Sequence, residues 1–429
     1  MKSDNKTIVL KNTIMLYAMT VAKYVFPLLL FPYLTRILTP SFYGIITYMT
    51  SVANYVSIII DFGFNLSATR KIATNKDNRE KVQTIYSAVV IGRVALAIIS
   101  GIVVFILALF VPIMRENLGV LIAYYFSTAV LVFLPDYIYR GFEKMQGITI
   151  RYVIAKIITT VLTLVIVKGP EQILLVPLFN GIGNVCSVVF TIFDLKKKYG
   201  IRITRVTMSS VLEEIKSSWV FFISTFATTA FTLANTLFMG FVNMSEVDIA
   251  YWGVAFQLIS IVISLYDPIV SSLYPRMVIS KDLKLIKYAF FIIMPIVVLG
   301  CIVCYFAAPF FVKIVGGEGY EGAIIIFRLM IPVLLFSYPA QLFGFPVLGP
   351  IGKEKSVTAA TIIGSLFHIL SLCLLLVTNN FTLIMIAILR SITEMVFMTM
   401  RVFFFFKHRH IYTTKLFEND RNKIGREDI

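Results

Sequence analysis

Nine charged side chains fall inside stretches that are otherwise apolar: Lys23, Asp61, Arg93, Asp136, Lys156, Asp267, Arg328, Arg390 and Glu394. A charge placed in hydrocarbon costs roughly 2.5–3.5 kcal/mol on insertion scales, so such residues turn toward a wet cavity or a partner and mark ligand or ion paths. The chemistry on offer is electrostatic holding. No H-E-x-x-H, P-loop, dinucleotide fingerprint or pair of catalytic carboxylates occurs, which argues against an enzyme. GGEGYEG, residues 316–322, follows an apolar run and not a strand, so it is a flexible turn.

Spacing sorts the nine. Arg390 and Glu394 are i,i+4 on one helix and should neutralise each other. Asp136 is expected to pair with Arg140. Arg93 and Lys156 lie within about two helical turns of a span end, where long side chains reach water. Arg328 can reach the opposite face near Glu318 and Glu321. Lys23 is mid-span, beside Tyr24 and one turn before Pro27, with no carboxylate on its own helix. It suits an anionic ligand or a carboxylate from another span. Asp61 and Asp267 begin the last turns of spans that end in cations, Arg70 and Lys71 in one case and Arg276 in the other. Each could clamp one conformation by pairing with a nearby Lys or Arg, or could couple transport to a cation.

The elements that position these charges are membrane spans. Soluble domains average about a quarter charged residues; here 14% are charged and 58% hydrophobic, and mean hydropathy is +0.87. Apolar runs are continuous, without the alternation of barrel strands, so the fold class is an all-α polytopic membrane protein. Twelve spans are expected, near 12–35, 43–66, 85–112, 118–139, 152–168, 173–193, 217–242, 249–274, 288–314, 323–348, 357–377 and 382–406. The first run continues past residue 30 without a small-residue cleavage site and is expected to be retained as a span. Cys186, Cys301, Cys304 and Cys373 all lie in apolar runs and act as small buried hydrophobes, with no disulfide framework.

Loop charge sets orientation. Of the 39 Lys and Arg, only Arg36, Arg115, Lys168 and Lys313 lie in loops on the side opposite the termini. The positive-inside rule therefore puts both termini in the cytoplasm. The net charge of +16 follows from that topology and from contact with anionic lipid, and no nucleic-acid module is needed. The tail after residue 406, with His408 and His410, mixes signs and lacks periodicity, and a metal site there is not expected.

The chain also repeats itself. IIIDFGFNLSATRKIA ends the second span and SLYDPIVSSLYPRMVIS the eighth; Asp61 and Asp267 are 206 positions apart, as are Arg70 and Arg276. Six spans per half give two bundles of the same orientation, residues 1–200 and 201–406, related by a pseudo-two-fold axis along the membrane normal, with a cytoplasmic tail at 407–429. The tenth span carries Pro332, Pro339, Pro346 and Pro350, with Gly344 and Gly349, and should be bent or hinged.

FPYLTRILTPSFYG, DFGFNLSATRKIA, DYIYRGFEKMQ and GGEGYEGAIIIFRLMIP together resemble the polysaccharide-biosynthesis flippases. These are the O-antigen and capsular repeat-unit (Wzx-type) exporters of the multidrug/oligosaccharidyl-lipid/polysaccharide superfamily. The resemblance covers nearly the whole chain in span number, length and loop plan. It implies a central cationic cavity, and movement of an undecaprenyl-pyrophosphate-linked oligosaccharide from the cytoplasmic to the outer leaflet of the bacterial inner membrane by alternating access. Its implied partners are that substrate, membrane lipids, a polysaccharide polymerase and a chain-length regulator, with no cofactor beyond a coupling H+ or Na+. Lys23 is the one mid-span cation of the first two spans; Arg93, Lys156 and Arg328 would complete the substrate site, and Asp61, Arg70, Asp267 and Arg276 would serve gating or ion coupling. Two other readings stay open. A multidrug or organic-cation antiporter of the same superfamily would want carboxylates in its cavity, and here intramembrane cations outnumber anions five to four. A polysaccharide polymerase would want a large, charged outward loop, and the outward loops here are short.

Overall fold

The computed structural model of the protein describes residues 2–412, with side chains from Ile14 onward except those of Leu16, Thr228 and Ala230. The expected tail beyond Tyr412 lies outside the described residues, as do the side chains of Lys2, Lys6 and Lys11. Every regular element among the described residues is helical. Two compact units divide the chain, Met1–Ala250 and Tyr251–Ile429.

In the first unit the order is α1 (Lys2–Ile37), α2 (Pro40–Asp61), α3 (Phe64–Ala73), α4 (Arg79–Phe110), α5 (Pro112–Glu116), α6 (Leu118–Ala129), α7 (Asp136–Gly141), α8 (Met145–Ile166), α9 (Leu175–Asp194) and α10 (Met208–Phe241). Helix α11 (Glu246–Ser264) leads into the second unit. There follow α12 (Asp267–Ser280), α13 (Leu283–Phe306), α14 (Ala308–Val315), α15 (Gly322–Leu342), α16 (Phe345–Leu348), α17 (Glu354–Val377) and α18 (Leu383–His408). Eleven of these helices or collinear pairs are long and apolar enough to cross a membrane, and α10, bent by 69° between Ala227 and Phe231, makes a twelfth.

Each span shows the division that lipid imposes. With no hydrophobic force between helices in hydrocarbon, spans associate through small residues that allow close approach. Helix α4 buries Arg93, Ala97, Ser100, Val104 and Ala108 along one stripe and exposes Ile98, Ile102, Phe105 and Leu109 on the other. Helix α17 does the same with Ala360, Gly364, Ser365 and His368 inward and Ile363, Leu366 and Leu370 outward.

The break between α2 and α3 organises the first unit. Phe62 (φ 44°) and Gly63 (φ 76°) both take the left-handed conformation, which ends α2 with the Phe62 N–H on the Ile58 carbonyl. Only glycine fits the second position. A Cβ there would lie 2.7 Å from Phe221 Cβ and 2.8 Å from the Ser218 carbonyl oxygen. Helix α10 packs onto the kink, and the Phe62 ring stacks on Phe222 at 4.5 Å. That packing on α2, α3 and α4 places α10 in the first unit. The span formed by α11 and α12 also breaks beside its aspartate, but without a left-handed residue; two tight turns close onto Val262 and Ile263, and Pro268 starts α12.

Prolines did not set the hinges. Helix α1 runs unbroken through Pro27 and Pro32, and α15 through Pro332 and Pro339. The tenth span breaks after Phe343 instead, where α16 restarts with Pro346 in its first turn. Proline there occupies a position whose N–H has no intrahelical acceptor, so it opens a helix at no hydrogen-bonding cost.

Candidate functional site

A cavity of about 350 Å³ lies within the first unit, bordered by Asp61, Asn65, Arg93, Leu134, Asp136 and Thr225 among others. Three of the charges singled out by position in the sequence, Asp61, Arg93 and Asp136, meet there, and Arg151 joins them. Arg93, 3% exposed, donates from Nη2 to Asp61 Oδ1 at 2.7 Å and from Nη1 to the Leu134 carbonyl at 2.8 Å. Its guanidinium lies 5.2 Å from the centroid of the Tyr137 ring. Asn65 donates to the same Asp61 oxygen at 2.6 Å. Behind this pair, Arg151 donates to Asp136 Oδ1 at 2.5 Å and to Thr191 Oγ1 at 3.0 Å.

The positions follow from local structure. Asp61 is the last residue of α2, so its carboxylate points past the kink. Leu134 sits in extended backbone between the 3-10 turn Val130–Phe133 and α7, where its carbonyl has no helical donor. Arg93 satisfies both. This corrects the expectation that Arg93 reaches out to water: it is buried, and a buried guanidinium needs a carboxylate and an acceptor close by. Asp136 corrects another expectation, since its partner is Arg151 and not Arg140. Arg151 is 4% exposed, and a desolvated cation needs a carboxylate close by. Arg151 had been counted among the loop cations facing headgroups; α8 begins before it and takes it inside.

The network holds two carboxylates and two guanidiniums, so it is neutral and ties four spans together. It joins α2, α4, the α6–α7 break and α8, with α9 through Thr191. At the loop end of the same unit, below a buried cluster that includes Phe64, Ile72, Val89, Tyr137 and Ile148, Lys71 bonds Glu214 of α10 at 2.8 Å. That contact was not anticipated. Arg70, its neighbour, is exposed on the last turn of α3.

The two intramembrane lysines singled out in the first unit, Lys23 and Lys156, lie elsewhere. Thr149 donates to the Met15 carbonyl at 2.9 Å, and the Tyr33 hydroxyl reaches the Leu164 and Val167 carbonyls at 2.8 and 2.7 Å. Helices α1 and α8 therefore run parallel. Lys23 is eight residues past Met15 and Lys156 seven past Thr149, so they stand at nearly one level. Lys23 is exposed and Lys156 half-buried. Among the described residues neither enters an ion pair.

In the second unit the predicted residues are scattered. Asp267 and Arg276 are exposed on α12. Arg328 does not meet Glu318 or Glu321; it caps the Tyr305 carbonyl at 3.1 Å and lies 5.1 Å from that ring. Arg390 and Glu394 pair at 2.8 Å, as their spacing predicts. Two interior contacts were missed. His368 Nδ1 is 2.7 Å from Thr393 Oγ1, and Arg401 donates to the Ala340 carbonyl at 2.8 Å. His368 lies on the small-residue stripe of α17, a signal that was available; Arg401 looked like a cation of the tail junction. No group of three or more His, Cys, Asp or Glu among the described residues is arranged to hold a metal ion.

Comparisons with known proteins agree with this architecture. A family model described as "Polysaccharide biosynthesis protein" matches residues 9–281. Two proteins named "Putative O-antigen transporter" are similar along most of their length. One, from Escherichia coli (strain K12), is 24% identical over 86% of this chain and 90% of its own. The other, from Shigella dysenteriae, is 27% identical over 84% and 91%. Among solved structures, the lipid II flippase MurJ in an inward closed conformation aligns with a TM-score of 0.66 at 14% identity, covering 92% of this chain and 87% of its own. An inward-facing multidrug resistance MATE family transporter of the MOP superfamily aligns with 0.61 at 14% identity, covering 91% and 98%. These structures share the fold. The chain is a multi-pass membrane protein, and with more than half its length matched by the family model it belongs to the polysaccharide biosynthesis protein family.

Proposed function

We propose that this protein is a flippase that carries a lipid-linked oligosaccharide across the bacterial inner membrane for surface polysaccharide assembly, O-antigen or capsule. In this reading the cargo is an undecaprenyl-pyrophosphate-linked repeat unit, moved from the cytoplasmic to the outer leaflet by alternating access, with both termini in the cytoplasm. The relatives' names and the shared fold of a lipid II flippase support it. The observation that carries it is the pair Lys23 and Lys156. They are cations at one level of two packed, parallel spans, and no carboxylate neutralises them among the described residues. A pyrophosphate needs such charge to leave water, while its polyprenyl tail stays in lipid.

The Asp61–Arg93 pair serves in this scheme as a conformational clamp, and protonation or Na+ binding at Asp61 would release Arg93 and couple the cycle to an ion gradient. The antiporter reading uses the same carboxylates as cation sites. It is disfavoured because Asp61 and Asp136 are each already held by an arginine, at 2.7 and 2.5 Å. A polymerase and a chain-length regulator would act on the delivered unit.

Lys23→Ala in cells should abolish surface polysaccharide while the protein remains in the membrane, and Lys23→Arg should restore most of it. Unchanged surface polysaccharide in Lys23→Ala would remove Lys23 from the substrate path. Accumulation of a cytoplasmic-leaflet lipid-linked glycan in the deletion strain identifies the cargo.

A further inference from the structure

A second cleft, of about 310 Å³, opens at the loop end of the first unit between the α3–α4 turn, the α7–α8 turn and the segment after α9. Lys76, Arg79 and Lys144 line it with Asp77, so cations exceed anions three to one. Its wall is aromatic: Phe142 and Tyr199 stack at 5.2 Å with their planes 24° apart. Its edge is fixed, because Gly200 takes the left-handed conformation and its carbonyl accepts from the Arg79 guanidinium. Among the described residues Lys76 and Lys144 enter no ion pair. The lipid-facing surface runs directly into this edge. Phe193 is 66% exposed, and Lys197 lies 6.0 Å above its ring.

We propose that this cleft holds the phosphate headgroup of an anionic bilayer phospholipid, with the acyl chains lying along the outer face of α9. Cations around a small concave site, next to an apolar surface at the ends of spans, select a molecule that has both a phosphate and a tail. Basic pockets of this kind between spans bind headgroups, whereas a free phosphate would gain nothing from Ile192 and Phe193. The volume lies at the small end of ligand pockets and favours a single headgroup over an oligosaccharide. The site is distinct from the Lys23–Lys156 level and from the Asp61–Arg93 network, so it holds whether or not the flippase reading does. An occupied cleft would tie the α3–α4 and α7–α8 turns to the end of α9.

The full-length detergent-solubilised protein tests this by thermal unfolding with added lipid. Dioleoylphosphatidylglycerol should raise Tm by about 2–4 °C. Lys76→Gln/Lys144→Gln should lose most of that rise, and Lys284→Gln/Lys287→Gln, an equal loss of charge at exposed positions in the first turns of α13 in the second unit, should keep it. Equal rises with dioleoylphosphatidylcholine or inorganic phosphate, no rise at all, or equal losses in the two double variants would each overturn the proposal. Undecaprenyl pyrophosphate that displaces phosphatidylglycerol with tenfold higher affinity would also overturn it, reassigning the cleft to substrate loading.

Discussion

The two broken spans, α2–α3 and α11–α12, carry aspartates 206 positions apart in similar stretches of sequence, and they are built differently. At the first, two left-handed residues interrupt the helix, a neighbouring helix packs onto the break, and Asp61 enters an ionic network reaching three other spans. At the second, the chain turns without a left-handed residue, and Asp267 stays exposed. Buried charge in the second unit lies instead on α18, as an i,i+4 pair within one helix. The two similar stretches therefore differ both in how the chain turns and in where the charge is held. Long-range pairs such as Asp61–Arg93 register spans against one another, whereas the Arg390–Glu394 salt bridge lies within one helix.

A single feature survives in both units. At the breaks of the fourth and tenth spans an arginine from another helix takes the freed carbonyl: Arg93 on Leu134 in the first unit, Arg401 on Ala340 in the second. In hydrocarbon such an acceptor cannot turn to water, so a break is stable only where a donor covers it.

This contrast can be broken by substitution, beginning with the largest effect. Arg93→Ala should destabilise the detergent-solubilised protein by about 3–5 kcal/mol, because it leaves Asp61 buried without its counter-ion and Leu134 without a donor. A double-mutant cycle with Asp61→Ala should return a coupling above roughly 1 kcal/mol; a coupling near zero would mean that the network does not link the spans. Gly63→Ala should cost about 2–4 kcal/mol by thermal unfolding, from the left-handed backbone and from the clash with Phe221 and Ser218 together. A near-neutral result would show that α10 is not seated on the kink. Arg401→Gln should cost about 1–3 kcal/mol as the Ala340 carbonyl loses a charged donor. Smallest of all, Arg276→Gln should change stability by no more than about 0.5 kcal/mol. A loss as large as that of Arg93→Ala would restore the symmetry that the structure denies.

Transfer free energy is a property of composition and order, and that is why so much was legible in one dimension. Continuous apolar runs dictate helices, and their number, their polar ends and the i,i+4 pair at Arg390 and Glu394 can be read directly. The similar Asp–Arg stretches read as the ends of two spans; that each lies at an interruption between two helices shows only in the structure. The tenth span does break, at Gly344 and before Pro346, while Pro332 and Pro339 sit within a continuous helix. The partners of buried charges on different helices were not legible. Asp136 chose Arg151 over Arg140, Arg93 turned inward to Asp61, and Lys71 found Glu214 across 143 positions. Each choice depends on which groups packing has stripped of water and on how close their helices approach, and only the tertiary structure settles those distances. The sequence alone determined that charges would be held in the membrane; the packing of α4 and α10 against the second span, and of α8 against α7 and α9, decided which of them are locked in pairs, while Lys23 and Lys156 stand outside every ion pair among the described residues.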